Sequence, residues 1–98
     1  MLIKIHKAYR RVVTVCDSDL LEKKFEEGTK TLEISENFFK GEEKSESELI
    51  EILIDQVKED ATFNIVGKNS IDCAIKAGII SQDGVKTVQG VPFALVLL

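Results

Sequence analysis

Apolar and polar positions alternate first over Leu2 to His6, where Ile3 and Ile5 fall on one side and Lys4 and His6 on the other. This two-residue period predicts a strand. Val12 to Cys16 is a second run, rich in β-branched residues, and the short Lys7-Ala8-Tyr9-Arg10 connection predicts an antiparallel hairpin. Leu20, Leu21 and Phe25 then give an apolar stripe read as helical, from Ser18 to about Phe25, with Asp17 as its cap and Glu26-Glu27-Gly28 as its end. Thr31 to Ile34 alternates again as a third strand. Ser35 to Ser45 is the loosest stretch, and its Phe38 and Phe39 are expected to pin the loop onto the core.

Ser45-Glu46-Ser47-Glu48 has the form of a capping box, serine at the cap and glutamate three residues on. Leu49, Ile50, Leu53, Val57 and Ala61 follow near the helical period, with Glu51, Asp55, Lys58 and Glu59 on the wet face. Phe63 to Val66 reads as a short extended segment broken at Gly67. Asn69 or Ser70 is expected to cap the next helix, whose Ile71, Ala74, Ile75 and Gly78 share a face. Gly78 ends it with a positive φ, and Ile79 supplies the contact that follows such a stop. Val85 to Val88 predicts a strand, Gly90-Val91-Pro92 redirects the chain, and Phe93 to Leu98 has no polar side chain. That last run is expected to be buried on both faces, as a central strand or as a subunit-interface strand pairing two copies into a homodimer. The order ββαβ-αα-ββ predicts an α+β fold, a mixed sheet of about five strands packed against two or three helices, in one domain over residues 1–98.

Composition adds bounds. A 44% apolar and 31% charged chain of 98 residues is an ordinary globular mix. Its longest apolar run is far short of the roughly 20 residues of a membrane helix. The start carries no apolar signal region, so a cytoplasmic setting with no membrane contact is expected. Net charge is −4, unevenly spread. Lys4, Lys7, Arg10 and Arg11 face no acid within residues 1–16, whereas residues 17–60 hold fifteen acids against six bases. The acidic middle argues against nucleic acid gripped by the whole surface, and the basic hairpin leaves a local anion contact open.

Candidate chemistry is sparse. Cys16, Cys73 and His6 lack metal-ligand spacing, so no metal and no cofactor is expected, and the two cysteines are read as reduced thiols. Gly67-Lys68-Asn69-Ser70 superficially resembles the end of a phosphate loop. The full pattern needs a glycine where Thr62 stands, and the chain before Gly67 reads as a helix, so the motif is rejected. Cys16-Asp17 lies at a strand-to-helix junction, where a thiol can be activated. Asn64, a lone amide in an apolar run, requires partners if buried. Together Cys16, Asp17, Asn64, Gly67 and Lys68 form the candidate ligand-binding set. No carboxylate pair suggests acid–base catalysis, so no catalytic residue is assigned.

Several of these residues also carry a resemblance. Cys16-Asp17 with Leu20-Leu21, Lys23, Phe25 and Gly28, then Phe38, Gly41, Asn64-Ile65-Val66-Gly67, Ala74, Gly78 and Gly90-Val91-Pro92, make the chain similar to the archaeal domain-of-unknown-function 424 family over nearly its whole length. It departs from the family pattern at Glu22, where glycine is usual, and at Phe93 and Leu95, where histidine and glutamine are usual. The resemblance implies a shared fold, a cytoplasmic setting and no assigned reaction, with a link to translation only as an alternative. Function is therefore expected to be that of a non-catalytic binding or accessory module with a protein or ribonucleoprotein partner. The alternative is a small-molecule or nucleotide-binding protein, possible enzyme included, using the candidate set.

Overall fold

The computed structural model describes residues 1–97, so the Leu98 end of the expected last strand lies outside the described residues. Six strands form one mixed sheet and two more form a separate hairpin. In chain order the elements are β1 (Leu2–His6), β2 (Val12–Cys16), β3 (Lys24–Glu27), β4 (Lys30–Glu33), α1 (Glu36–Phe39), β5 (Glu42–Glu43), α2 (Glu46–Lys58), β6 (Thr62–Val66), α3 (Lys68–Lys76), β7 (Lys86–Val88) and β8 (Val91–Val96). The main sheet runs β5-β1-β2-β6-β8-β7. Among the described residues only β2 and β6 are parallel, aligned from Val12 opposite Thr62 to Cys16 opposite Val66. The fold is α+β with a mixed sheet, as expected.

The sheet separates two apolar layers. Ile3, Val13, Val15, Phe63, Ile65 and Ala94 face Leu49 and Leu53 of α2 and Ile71, Cys73 and Ala74 of α3. Cys16 and Val66 face the other way, onto Ile34 and Phe39, with Leu2, Leu20, Leu21, Phe25, Leu32 and Phe93 around them. The capping box at Ser45 is present, Glu48 N–H donating to the Ser45 hydroxyl and Ser45 N–H to the Glu48 carboxylate. Gly78 has φ 78°, and Ile79 N–H reaches back to the Ala74 carbonyl at 3.1 Å, the expected helix stop.

Four expectations are corrected. The helix from Ser18 to Phe25 is only a single 3-10 turn, Ser18–Leu20, and Asp17 makes no side-chain cap to it. The chain then extends as β3, which pairs with β4 around Gly28, so the Thr31–Ile34 strand belongs to the hairpin and not to the main sheet. The loose stretch holds α1, capped by the Ser35 hydroxyl, and β5. Its phenylalanines do pin it down: Phe39 is buried, and Phe38 stacks on His6 with ring centroids 4.9 Å apart. Last, β8 is not buried on both faces. Its inner face is covered, but Leu95 is 59% exposed and Leu97, just beyond the strand, 71%. The hairpin and α1 cover the outer face only as far as Phe93, which leaves the Leu95 end bare. The backbone of β8 is central, held by β6 on one side and β7 on the other.

Candidate functional site

The parallel pair ends side by side at Cys16 and Val66, and the chain turns there twice. After β6 it passes through Gly67 directly into α3. The residue before the turn is therefore in a strand, as the extended reading of Phe63 to Val66 expects, and not in the helix invoked against the phosphate loop. After β2 it reaches Asp17, whose N–H donates to the Val66 carbonyl at 3.1 Å. This carboxylate is buried, 7% exposed, and aimed at the start of α3. Oδ2 accepts from Asn69 N–H at 3.1 Å; Oδ1 accepts from Ser70 N–H at 2.8 Å and from the Ser70 hydroxyl at 2.7 Å. Asp17 thus caps a helix 52 residues downstream, and it replaces the local Asn69 or Ser70 cap read from the sequence. An N-terminal helix turn offers free N–H groups and a partial positive charge, and here the chain's own carboxylate takes both.

Gly67 makes this approach possible. Its φ of 106° and ψ of 151° lie in a region essentially open only to glycine. A Cβ at this position would lie 2.7 Å from both carboxylate oxygens of Asp17. Its N–H donates to the Pro92 carbonyl at 2.8 Å, so the Gly90-Val91-Pro92 turn is fastened to the same point.

The candidate residues divide in space. Cys16, Asp17, Gly67 and Lys68 gather at the ends of β2 and β6, where Asp17, Gly67 and Lys68 line a hollow of about 190 Å³ together with Leu20, Gly90 and Pro92. Asn64 lies elsewhere, in a groove of about 270 Å³ between the outer face of the sheet and the Phe38–Phe39 layer. It is half-buried, pairs across the ladder with Thr14 and Leu95, and makes no side-chain hydrogen bond among the described residues. The family departure at Leu95 therefore falls beside Asn64, and that at Phe93 beside Val66. Ser70 and Pro92 complete the Asp17 junction. Their part was not legible, because it rests on contacts between segments distant in the chain.

The thiols are set for packing. Cys16 is fully buried between sheet and hairpin, and burial, with the negative charge of Asp17 next to it, pushes its pKa up to about 11. Burial also raises the Cys73 pKa. Both are free, on opposite faces of the sheet. The activated-thiol arrangement does not form, because no helix starts at Cys16 and the nearby charge is negative. The hairpin register puts His6 opposite Val12 and Cys16 opposite Leu2, at opposite ends of the ladder. His6 instead meets the Phe38 carbonyl at 2.9 Å, which also accepts from the Thr14 hydroxyl at 2.8 Å. Among the described residues, no cluster of three or more His, Cys, Asp or Glu side chains could hold a metal.

A six-stranded mixed sheet with helices on one face and a small hairpin on the other defines the class: a compact α+β domain closed by an internal carboxylate cap. The chain belongs to the family described as "Protein of unknown function (DUF424)", whose model matches residues 6–98. No curated protein matches it. It is similar to a solved structure described as the crystal structure of an uncharacterized conserved protein from Methanopyrus kandleri. That match has a TM-score of 0.87 at 26% identity and covers 97% of this chain and 88% of the other.

Proposed function

We propose that the protein is a non-catalytic binding or accessory module of the cytoplasm, docking to a protein or ribonucleoprotein that offers a basic surface. The observation carrying this reading is the outer side of α2. Glu48, Glu51, Asp55 and Glu59 are exposed along it. Ile54, exposed at 42%, lies with Lys58 to one side of the acids, and both border a hollow of about 300 Å³ lined also by Val57, Ala77, Gly78 and Ile79. An apolar hollow beside an acidic row suits a partner carrying an apolar anchor among basic residues. The buried Asp17 supports the same reading, since the place where an anionic substrate would meet a helix end is already filled.

The test is a pull-down from a native-type lysate at low and moderate salt, comparing the parent with Glu51→Lys/Asp55→Lys and with Ile54→Asp. The expected result is a partner retained by the parent and lost from both variants, the charge variant losing it first as salt rises. Recovery of no partner at either salt, or equal recovery by all three proteins, sinks the reading. Light scattering run alongside reads whether Leu95 and Leu97 join two copies.

The second reading is a small molecule or nucleotide at the Asp17–Gly67–Lys68 hollow, favoured by the exposed Lys68 at its rim. A ligand at 100 times its dissociation constant adds about 2.7 kcal/mol. A thermal-shift screen of nucleotides and metabolites that moves no melting temperature removes this reading.

A further inference from the structure

One long edge of the main sheet is only partly closed. The edge strand β5 has two residues and covers β1 at Leu2 and Ile3 alone. Gly41 brings the preceding chain across β1 at that point, so close that a Cβ on Gly41 would overlap the Ile3 carbonyl. Beyond it, Lys4, Ile5 and His6 are paired to β2 on one side, and among the described residues no strand pairs with them on the other. The open edge borders a groove of about 340 Å³, floored by Ile3, Ile5 and Ile52 of α2 and flanked by Lys4, Lys40 and Lys44.

Along the ladder Lys4 and His6 turn their N–H and C=O towards β2, and Ile5 turns its own outward, so the bare edge presents the Ile5 N–H and C=O to an extended chain. We propose that the Lys4–His6 edge takes an extended acidic peptide segment by β-addition, laid end to end with β5 and antiparallel to β1. The ladder supplies affinity through the backbone, and the groove reads alternate side chains. Charge selects the partner. The groove carries three lysines against one acid, Glu42. Exposed Lys7 follows directly after the edge. The lysines already have local partners: Lys4 Nζ reaches the Asn37 carbonyl at 2.7 Å, Lys40 pairs with Glu36 at 3.2 Å and Lys44 with Glu42 at 3.1 Å. Exposed pairs of this kind are worth little, so an incoming carboxylate can displace them. The same charges disfavour a second copy on this edge, because antiparallel β1–β1 pairing gathers Lys4, Lys7 and Lys40 of both copies along one short seam. This partner is opposite in sign to the one proposed for α2, and it lies on a different surface.

The test uses the full chain and three blocked eight-residue peptides: alternating valine and glutamate, alternating valine and lysine, and the glutamate peptide with alternate amides N-methylated. Backbone NMR of the protein reads binding and its location. The expected result with the glutamate peptide is saturable shifts confined to Lys4, Ile5 and His6 and slowed exchange of the outward Ile5 N–H, both weakened by salt. The lysine and N-methylated peptides give none. Lys40→Glu/Lys44→Glu, both surface changes that leave the fold intact, weakens the glutamate peptide about tenfold. The proposal is overturned by equal binding of the lysine peptide, by retained binding of the N-methylated peptide, by shifts centred on β7 or α2, by absence of shifts, or by peptide-independent self-association that protects the Ile5 N–H.

Discussion

Replacing Asp17 by alanine removes the one group that joins the end of β2 to the start of α3. Three donors lose their acceptor. Asn69 is exposed, so water takes over its N–H. Ser70 is fully buried, so its N–H and hydroxyl are stranded. A lost helix cap costs about 1 kcal/mol, and each buried unsatisfied group about 1–3 kcal/mol. The sum for Asp17→Ala is about 3–7 kcal/mol, a large share of the roughly 5–15 kcal/mol that holds a domain of this size together. Asp17→Asn retains one acceptor oxygen but turns an NH2 towards N–H donors, and falls between, at about 2 kcal/mol. Gly67→Ala costs about 1–3 kcal/mol for its backbone conformation alone, plus the displacement of the carboxylate it would meet. In the Asp17→Ala background that second cost disappears. The double variant is therefore less destabilised than the two single losses added together, by about 0.5–3 kcal/mol. Urea denaturation followed by circular dichroism, with matched m values, measures all four proteins. An Asp17→Ala protein within about 0.5 kcal/mol of the parent, or strictly additive losses, would refute the reasoning.

Three further outcomes follow from the geometry. Cys16 keeps its proton in the fold up to about pH 11, against an ordinary value of 9.0. Its contribution is thus complete below pH 9 and lost as pH rises towards 11; the parent loses stability over that window and Cys16→Ala loses less, as urea titration at stepped pH reads. Hydrogen bonds from the Ser45 hydroxyl and N–H hold the Glu48 carboxyl below its ordinary 4.5. Its contribution is present above that value and lost as pH falls below it, so the gap between parent and Glu48→Gln closes on acidification. Phe39→Ala costs about 3–5 kcal/mol by opening the hairpin-side core, whereas Leu95→Gln, at a 59% exposed position, stays within about 0.5 kcal/mol of the parent. A comparable loss from both would mean that the Leu95 surface is covered in solution.

Elements whose signals lie within a few residues were legible in the sequence. The capping box before α2, the glycine stop after α3 and the tight β1–β2 connection each work through near neighbours. Phe63–Val66 was readable as extended, and Gly67 as a break, for the same reason. The segment after Asp17 misled because Leu20, Leu21 and Phe25 fit a helical stripe as well as they fit a turn followed by a strand with Phe25 pointing inward. The decision rests with β4, which offers Lys24–Glu27 a ladder that outweighs local preference. The two-residue β5 and one-turn α1 are too short for any period to show. The parallel pairing of β2 with β6 has no local signature either, so the partner of Asp17 could not be read, although Asp17 and Gly67 were both singled out. Asn64 stands out in the sequence as a lone amide within an apolar run, but strand alternation turns it onto the outer face, away from α3.

The distant cap bears on the order in which the chain assembles. With nine residues, α3 is too short to persist alone in water. Its first turn finds an acceptor only when β2 and β6 already lie in register. The helix is therefore expected to consolidate after that pairing, and the Asn69 and Ser70 amides are expected to exchange with the β2–β6 seam, which native-state hydrogen exchange reads. A nascent chain that has emerged only through α2 holds Asp17 with nothing to bind, and the completion of this junction marks the moment at which both halves of the sequence have met.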